Sequence, residues 1–508
     1  MTLTILTNHL VGAGVQFTYA ASGDELFVAQ GVVLASTTGN LLAGINNADV
    51  SLTLAGTMVS PAMFSFSGQG ADVVITGTGS FTSTQSAAYN AGFFFSSTDA
   101  SFVNHGSVHV SDGISVLMRA SLGFAANYGE MIGASPIFVY SADDTKVVNG
   151  GTVTATRHGD AEMVDRYNNG IFVDSSLNSV VINLASGVVT ASGATGAAVA
   201  FDAASGGGRL ANHGHLESLS SYGVRLGGVT AGQEMIRVVN NGYIGGEAGS
   251  YLGSVNADRL VNRGVLDGDV LMGGGDDIFI GNLGRLDGIL DTGAGNDTVK
   301  GNAGQAETMI GGTGARDTLD FRGGAAVIVA LDGSFANAGA AVNDSYSGFE
   351  DVFGSAFNDR ITGSTAANWL QGAVGVDTLS GGGGADTLVG GQGADVLTGG
   401  AANDVFLFNA LTQLGDRITD FTNVSGNNDI LHISAAGFGG GLVAGVLAVE
   451  LYRARADNLA QDADDRFIFR TTDKTLWFDA DGSGAGAAVM VADLQDTATF
   501  SRGDILLI

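Results

Sequence analysis

A nine-residue repeat from Gly372 to Leu407 constrains the fold of this chain more than any other feature. Four units stand end to end and read GAVGVDTLS, GGGGADTLV, GGQGADVLT and GGAANDVFL, on the template G-G-x-G-x-D-x-U-x with U a large apolar residue. Glycine allows positive φ angles, and therefore tight turns that expose backbone carbonyls. The T-L-x half alternates polar and apolar side chains, as a short strand does. The repeat predicts a parallel β-roll in which two units form one coil.

In such a β-roll each loop lies against the loop two units away, and the residue at position eight faces the core. The paired loops offer carbonyl oxygens and Asp carboxylates, which suit a cation with six to eight oxygen ligands at about 2.3–2.6 Å. The pattern therefore predicts several bound calcium ions. The residues predicted to hold them within the four units are Gly372, Gly375, Asp377, Gly381, Gly382, Gly384, Asp386, Gly390, Gly391, Gly393, Asp395, Gly399, Gly400 and Asp404.

Two weaker units precede this block, at residues 354–362 (GSAFNDRIT) and 363–371 (GSTAANWLQ). They place Asp359 and Asn368 at position six, so Asp359 joins the predicted metal ligands. Asn368 lacks a formal charge, so its site is expected to be the weakest of its stack. Pairing each loop with the one two units away predicts two stacks, Asp359/Asp377/Asp395 and Asn368/Asp386/Asp404.

Further units lie upstream, at residues 272–280 and 292–300, and add Asp277 and Asp297 to the predicted metal ligands. Beyond residue 300 the nine-residue phase breaks. The run GGTGARDTLDF contains one extra residue, which leaves Asp317 out of phase, and AAVIVALDG and YSGFEDVFG are expected to be strands of an insert. The β-roll is therefore expected to be interrupted between residues 301 and 351, with weaker or absent calcium sites.

These units resemble the RTX family of calcium-binding nonapeptide repeats, because one period, two glycine positions and an acid recur in phase. The segment that follows, with GDRITDFTNVSGNNDILHIS and the apolar ending GDILLI, resembles the carboxy-terminal module of proteins exported by type I secretion. In that family the export signal is carboxy-terminal and uncleaved. The resemblance implies a secreted or cell-surface protein whose partners are calcium and the type I secretion apparatus. The start, MTLTILTNHLV, lacks the basic and long apolar regions of a cleavable signal peptide.

The charge distribution agrees with a metal-dependent carboxy-terminal half. The formal net charge is −30, and residues 261–508 hold 33 of the 51 acidic residues but only 13 of the 21 basic ones. A segment this acidic repels itself without counterions, so a metal is expected to change its folding. Nucleic acid is a poor partner for such a surface. The chain has no Cys, which excludes disulfides and thiolate zinc sites, and no apolar stretch long enough to predict a transmembrane segment.

A second, looser repeat occupies residues 20–265. A glycine, often preceded by Asn, is followed by an apolar-polar-apolar strand, as in VNHGSVHV at Gly106 and VNNGYIG at Gly242. Most spacings between these glycines are in the twenties, which suits one coil of a right-handed parallel β-helix. The 36-residue interval from Gly151 to Gly187 predicts one coil with an inserted loop around residues 157–169. The Asn residues are expected to tolerate left-handed geometry and to form a ladder with the adjacent coil.

The predicted fold class is all-β: a right-handed parallel β-helix, then a calcium-binding parallel β-roll and a carboxy-terminal β-rich secretion module. An array of β-sandwiches is the alternative architecture. The N-G-[VTI] coils resemble bacterial surface β-helix proteins, including autotransporter passenger domains, which range from adhesins to enzymes. The predicted boundaries are 1–265 for the β-helix, 266–353 for degenerate repeats with an insert, 354–408 for the β-roll, and 409–508 for the secretion module.

Catalytic residues are not predicted, and an enzyme is the less favoured interpretation. The chain lacks the H-E-x-x-H, G-x-S-x-G and D-P-H motifs. One local cluster, His213, His215 and Glu217, would share one face of a strand. A second group, comprising Arg157, His158, Asp160 and Asp165, lies in the predicted inserted loop.

The favoured function is that of a secreted, calcium-binding protein that folds when it meets calcium outside the cell and has a structural or adhesive surface role. The alternative is an extracellular polysaccharide-modifying enzyme, similar to β-helix epimerases or lyases with an RTX tail. A cleft beside residues 157–169 or 213–217 would indicate such an enzyme.

Overall fold

The computed structural model describes residues 2–38, 41–43, 45–83, 91–119, 121–156, 168–193, 195–202, 205–227, 231–281, 284–301 and 307–508. The chain forms two compact units, one ending at Ala294 and the other beginning at Gly295. The ladders of the first unit are parallel throughout, and the second unit combines parallel ladders with several antiparallel pairs, so both units are rich in parallel strands, as the sequence predicts. No helix in these ranges is long and apolar enough to cross a membrane. The boundaries between the four predicted domains stay a prediction.

The first unit is a parallel β-helix with three strands in each complete coil, and equivalent strands stack into three ladders. The first ladder carries the ends of the Asn-containing motifs. Its strands are Leu3–Leu6, Glu25–Val28, Ser51–Leu54, Asp72–Ile75, Ser101–Asn104, Phe124–Asn127, Lys146–Asn149, Val180–Asn183, Arg209–Asn212, Ile236–Asn240, Asp258–Asn262 and Ile278–Ile280.

The other two ladders complete each coil. A two-stranded pair, Phe17–Thr18 with Leu42–Ala43, precedes the third ladder. The second ladder contains Leu10–Gly12, Val33–Ser36, Thr57–Ser60, Ser80–Ser83, Ser107–Val110, Glu130–Gly133, Thr152–Ala155, Val188–Ala191, His215–Ser218, Tyr243–Gly246, Val265–Asp267 and Arg285–Asp287. The third contains Phe64–Phe66, Ala91–Phe95, Ile114–Met118, Ser135–Tyr140, Ile171–Asp174, Val199–Asp202, Tyr222–Leu226, Gly249–Leu252, Val270–Leu271 and Ile289–Asp291.

Strand pairing confirms that the 36-residue interval is a single coil, because Thr152 is the direct partner of Val188. Residues 157–167 of the predicted inserted loop lie outside the described residues. Alternate side chains of each strand face the interior, as the pleat requires. Phe81, Phe93 and Phe102 come from three different ladders and meet there, with ring centroids 4.6 Å and 5.3 Å apart. The right-handed sense of winding stays a prediction.

A ladder of buried Asn side chains runs along one corner of the β-helix, as the sequence predicts. Each Nδ2 except that of the last member, Asn262, donates to the Oδ1 of the Asn in the next coil, at 2.8–2.9 Å. Most Oδ1 atoms also accept the backbone N–H of the glycine two residues on. The members are Asn104, Asn127, Asn149, Asn183, Asn212, Asn240 and Asn262.

The structure corrects the reason for the glycines at this corner. The glycines of the Asn motifs, such as Gly106 and Gly242, do not have the positive φ angles typical of tight turns, and the ladder Asn residues do not adopt them either. Instead, a Cβ atom at Gly106 would overlap the carbonyl oxygen of Gly79 in the preceding coil, and one at Gly242 would overlap that of Gly214. Glycine is needed because the coils approach too closely for any side chain.

The second unit contains the β-roll, which has two parallel ladders. Roll ladder A consists of Thr298–Lys300, Thr318–Asp320, Asp351–Phe353, Trp369–Val374, Thr387–Gln392, Val405–Phe408, Ile430–Ile433 and Ile505–Leu507. Roll ladder B consists of Val327–Ala330, Arg360–Thr362, Thr378–Gly383, Val396–Ala401, Asp416–Ile418 and Val489–Leu494.

Smaller elements complete this unit. Antiparallel strands extend roll ladder B at both ends, and a short helix, Ala435–Phe438, follows ladder A. The remaining strands are Thr308–Ile310, Ala338–Gly339, Ser345–Ser347, Asn423–Val424, Asn427–Asn428, Gly445–Val446, Tyr452–Arg455, Phe467–Arg470 and Thr475–Phe478, and two 3₁₀ turns span Val449–Leu451 and Arg502–Asp504.

The position-eight side chains face the roll core, as the template predicts: Leu379, Leu388, Leu397 and Phe406 are all fully buried. The carboxy-terminal segment supplies the last parallel strand of each ladder. Its strand Ile505–Leu507 pairs in parallel with residues 431–433, and Val489–Leu494 pairs with residues 416–418.

The Asn ladder yields a stability prediction. Replacing Asn183 by Ala removes the partner of Asn149 and of Asn212 in a fully buried position. Because each buried group left without a hydrogen bond costs about 1–3 kcal/mol, we expect the free energy of unfolding to fall by about 2–4 kcal/mol. Urea denaturation followed by circular dichroism measures the change. Asn241→Ala, beside the ladder, is the control, and equal effects of the two substitutions would contradict the role of the ladder.

Candidate functional site

Two columns of buried acidic side chains flank the β-roll, one beside each ladder. The residue just before each strand accepts, through one side-chain oxygen, the backbone N–H of the equivalent residue one coil earlier. In column B these N–H···Oδ1 distances are 2.8 Å from Asp359 to Asp377 and 2.8 Å from Asp377 to Asp395. In column A they are 2.8 Å from Asn368 to Asp386 and 2.9 Å from Asp386 to Asp404. The structure therefore brings together the two stacks that the sequence predicts.

Each column continues into a residue that sequence reasoning missed. The N–H of Asp395 donates to Asp416 at 3.0 Å, and the N–H of Asp404 donates to Asp429 at 3.1 Å. Asp416 and Asp429 are as buried as the predicted members. Asp429 stands immediately before the apolar strand Ile430–Ile433, which is the one signal that could have identified it, and Asp416 is the first residue of the strand Asp416–Ile418. The nine-residue spacing could not, because they follow their partners by 21 and 25 residues.

Column A also extends upstream through the region expected to interrupt the roll, so this ladder is not interrupted there, and weaker or absent calcium sites in the region stay a prediction. The N–H of Asp297 donates to Asp317 at 2.8 Å, and that of Asp317 donates to Oε2 of Glu350 at 3.0 Å. The extra residue before Asp317 is accommodated in the preceding turn, because Thr298 and Thr318 are direct strand partners. Asp317 is therefore in structural register, although it is out of phase in sequence.

The two strand-like runs between residues 326 and 354 are not strands of a separate insert. Residues 327–330 pair with residues 360–362 and belong to roll ladder B, whereas residues 351–353 pair with residues 369–371 in ladder A. Of the other two predicted ligands, Asp297 is fully buried in column A, and Asp277, also buried, accepts the N–H of Asp258 in the first unit.

Four predicted carboxylates have a second oxygen, Oδ2, that is buried and has no hydrogen-bond partner within the described part of the chain: those of Asp377, Asp386, Asp395 and Asp404. The pKa of Asp377 and of Asp386 is raised to about 7, mainly by burial and in smaller part by neighbouring carboxylates of the same column. Burial likewise raises the pKa of Asp404 to about 6 and that of Asp416 to about 8. A buried carboxylate with an unpaired oxygen requires either a proton or a cation.

The glycines of the repeat serve two different purposes. Those at positions two and four have positive φ angles, for example 100° at Gly382 and 92° at Gly384, as the predicted turns require. The other predicted glycines in this group are Gly375, Gly391, Gly393 and Gly400. Those at position one do not have positive φ. A Cβ atom there would overlap Oδ2 of the Asp five residues on, so they leave room beside the unpaired oxygen: Gly372, Gly381, Gly390 and Gly399.

This arrangement fits calcium. Unpaired carboxylate oxygens lie at regular intervals along each column, beside turns of glycine backbone, and oxygen donors of this kind are what calcium prefers. The carboxylates follow one another along the columns rather than converging: no group of three or more His, Asp or Glu side chains among the described residues is placed to hold a metal ion. Backbone carbonyls would therefore supply the larger share of the ligands. Asn368 is satisfied without a cation, because its Nδ2 donates to the carbonyl of Glu350 at 2.9 Å.

Comparison with known proteins agrees with this geometry. The profile of the RTX calcium-binding nonapeptide repeat matches the chain in four copies, over residues 287–315, 353–388 and 380–410. These segments are RTX repeats. The RTX match covers the predicted column members from Asp359 to Asp404, and RTX repeats bind calcium. No curated protein matches the chain.

The candidate catalytic residues are only partly brought together. His215 and Glu217 share one face of the strand His215–Ser218, with 3.1 Å between Nε2 and Oε2, as expected. His213 lies in the turn before this strand, so it does not complete the predicted trio. The other group, Arg157, His158, Asp160 and Asp165, lies outside the described residues.

The buried columns predict a pH dependence. Because the folded pKa of Asp377 and Asp386 is about 7 and unfolded Asp titrates near about 3.9, the folded roll binds more protons than the unfolded chain between these values. Without calcium, the free energy of unfolding of the roll should therefore decrease as pH rises from about 4 to about 7.

Far-UV circular dichroism in EDTA across this pH range tests the sign of the effect, because the folded fraction of the roll should fall as pH rises. The variant Asp377→Asn, which cannot titrate at this position, should show a weaker dependence. A folded fraction that rises with pH in the wild-type protein would contradict the interpretation.

Proposed function

We propose that calcium ions bind along both columns and that this binding drives the β-roll to fold. The observation that carries the proposal is the row of buried, unpaired Oδ2 atoms of Asp377, Asp386, Asp395 and Asp404. In the unfolded chain these carboxylates are hydrated and separated. Folding removes the water and stacks like charges about 4.8 Å apart, one coil from the next. Calcium offsets both costs, because it neutralises the charges and replaces the lost water ligands.

Folding and calcium affinity are then coupled. A ligand that binds only the folded state stabilises it in proportion to the logarithm of its concentration over the dissociation constant. Adjacent sites share the loop between them, so an ion in one site orders half of the next. The roll should therefore fold cooperatively over a narrow range of calcium concentration, and a chelator should reverse the transition.

This coupling supports an extracellular role. Cells keep free calcium low in the cytosol, and extracellular calcium-binding modules operate at about 10⁻⁴–10⁻³ M. The acidic roll would remain unfolded inside the cell, in a form that a type I secretion apparatus can thread, and would fold on arrival outside. The match to RTX repeats supports this proposal, since proteins with such repeats are typically secreted.

The β-helix would then act as a rigid surface component, structural or adhesive. Its three ladders have no lateral strand edges, because each strand between the terminal coils is paired on both sides. The outward-facing side chains therefore form flat, regular arrays that suit contact with a repetitive partner such as a cell-surface polymer.

Calcium titration of the full-length chain tests the proposal. Far-UV circular dichroism should show a cooperative gain of β signal with calcium that EDTA reverses. Asp395→Asn keeps an acceptor for the N–H of Asp377 but removes the charge, so the midpoint should move to about tenfold higher calcium or more. Asp496→Asn, on the exposed surface, is the matched control and should not move it. Identical spectra in calcium and in EDTA would refute calcium-driven folding.

The second candidate is a polysaccharide-modifying enzyme, and one observation favours it. An open depression of about 300 Å³ lies on the second ladder of the β-helix, beside the predicted Glu217. Its lining includes Tyr243, Glu247 and Asp267, and the Tyr243 hydroxyl donates to Asp267 at 2.8 Å. The His215 ring stacks on that of Tyr243, with 4.3 Å between centroids. Carboxylates beside an aromatic ring are groups that can bind sugar hydroxyls and act as acids or bases.

This candidate predicts that Glu217→Gln abolishes turnover. Product release from soluble uronic-acid polymers, followed through new reducing ends and ultraviolet absorbance, should fall by about 10²-fold or more if Glu217 transfers a proton. Glu130→Gln, on the same ladder but several coils away, is the control. Absence of turnover in the calcium-loaded wild-type protein would reject the enzyme hypothesis and leave the surface role.

A further inference from the structure

Two loops in the β-helix reproduce the loop stacking of the β-roll. Residues 253–258 (GSVNAD) lie against residues 272–277 (MGGGDD), one coil further along. The reference pair in the roll is residues 363–368 (GSTAAN) against residues 381–386 (GGGGAD). Both β-helix loops belong to the first unit, and both precede the segments that match the RTX profile.

Two hydrogen bonds of the β-helix pair have direct counterparts in the roll pair. The N–H of Asp258 donates to Oδ1 of Asp277 at 2.6 Å, as the N–H of Asn368 donates to Asp386 at 2.8 Å. The N–H of Ser254 donates to Oδ2 of Asp258 at 2.7 Å, which matches the 2.7 Å bond from Ser364 to Asn368.

The backbone conformation corresponds as well. Gly273 and Gly275 have φ angles of 104° and 91°, against 100° and 92° at Gly382 and Gly384. The backbone N–H of residue 274 donates to the carbonyl of Ser254 at 2.9 Å, as that of residue 383 donates to the carbonyl of residue 364 at 2.9 Å. The β-helix loops therefore have the same turn geometry as the RTX loops, although only one of them has the glycine pattern.

The β-helix pair differs from its counterpart in its charge. Asp258 occupies the place of Asn368, so this pair has two carboxylates where the roll pair has one. Oδ1 of Asp258 is buried and has no hydrogen-bond partner in the described structure, and the side chain has no ion pair there. The hydroxyl of Tyr251, from the third ladder, is also fully buried without a partner. Burial raises the pKa of Tyr251, and the charges of Asp258 and Asp277 raise it further.

We infer that the loops 253–258 and 272–277 hold a calcium ion, so that the β-helix has a cation site of its own with Asp258 as a ligand. Two buried carboxylates one coil apart repel each other, and a water molecule could satisfy the unpaired oxygen but not the charge. A cation does both. The inference rests on the proposed calcium binding by the roll, because it transfers that loop chemistry to a second location.

The consequence is that calcium controls more than the β-roll. Asp258 begins a strand of the first ladder, and the last member of the Asn ladder, Asn262, lies at the other end of the same strand. Loss of the ion would leave a buried charge at this strand, so the last coils of the β-helix should loosen without calcium even where the earlier coils, which depend on neutral Asn side chains, remain folded.

The variant Asp258→Asn tests the site in the full-length protein. Asn keeps an oxygen that can accept the N–H of Ser254, as Asn368 does in the roll, and loses only the charge. Hydrogen–deuterium exchange with calcium alone as the probe, compared with EDTA, reports on residues 250–277 and 372–408 separately. Native mass spectrometry counts the bound ions. Asp386→Asn is the matched control in the roll.

In the wild-type protein, calcium should slow exchange in both regions. In Asp258→Asn, the slowing at residues 250–277 should shrink by about tenfold or more, with one fewer bound ion, while residues 372–408 respond as before. Asp386→Asn should show the reverse pattern.

Suppose that in the wild-type protein calcium slows exchange at residues 372–408 but not at residues 250–277. That result would overturn the inference and leave the proposed function intact. If neither region responds, both are rejected. The wild-type comparison decides the question even if Asp258→Asn fails to fold.

Discussion

The structure depends on one constraint: the backbone N–H at each corner of a coil must have a hydrogen-bond acceptor. Neighbouring coils lie about 4.8 Å apart, and a buried N–H without an acceptor is costly. At the corner that ends most first-ladder strands of the β-helix this acceptor is Asn, and at the corner that precedes most strands of the β-roll it is Asp. Asn both accepts and donates, so a column of Asn such as that from Asn104 to Asn262 satisfies itself. Asp only accepts, so each Asp satisfies one N–H and leaves its second oxygen unpaired.

This difference between two nearly isosteric side chains separates a permanent scaffold from a metal-dependent one. An amide column needs nothing from solution. A carboxylate column needs protons or cations, and at neutral pH with millimolar calcium outside the cell the cation is the available choice. Asp258 is informative because it places a carboxylate in the unit that carries the Asn ladder, one strand length from Asn262.

The sequence was sufficient where spacing and structure coincide. Asp377 and Asp395 are 18 residues apart in a strict repeat, so their stacking could be predicted. It was insufficient where register is set by strand pairing. Asp416 follows Asp395 by 21 residues because the connecting loop is longer, and a fixed period cannot detect it. The glycines were predicted correctly but partly for the wrong reason, since Gly106 is needed for close approach between coils, which only the packed structure reveals.

The strand Ile505–Leu507 completes roll ladder A against a strand made 74 residues earlier, and the antiparallel strands between them fill the interval. A ribosome delivers the chain from the amino terminus. The coils of the β-helix can therefore form in the order in which they emerge, each on the one before. The roll cannot close in that way, because residues 431–433 have an open edge until translation has passed residue 507. Translation itself thus enforces a delay on this ladder, independently of the ion concentration around it.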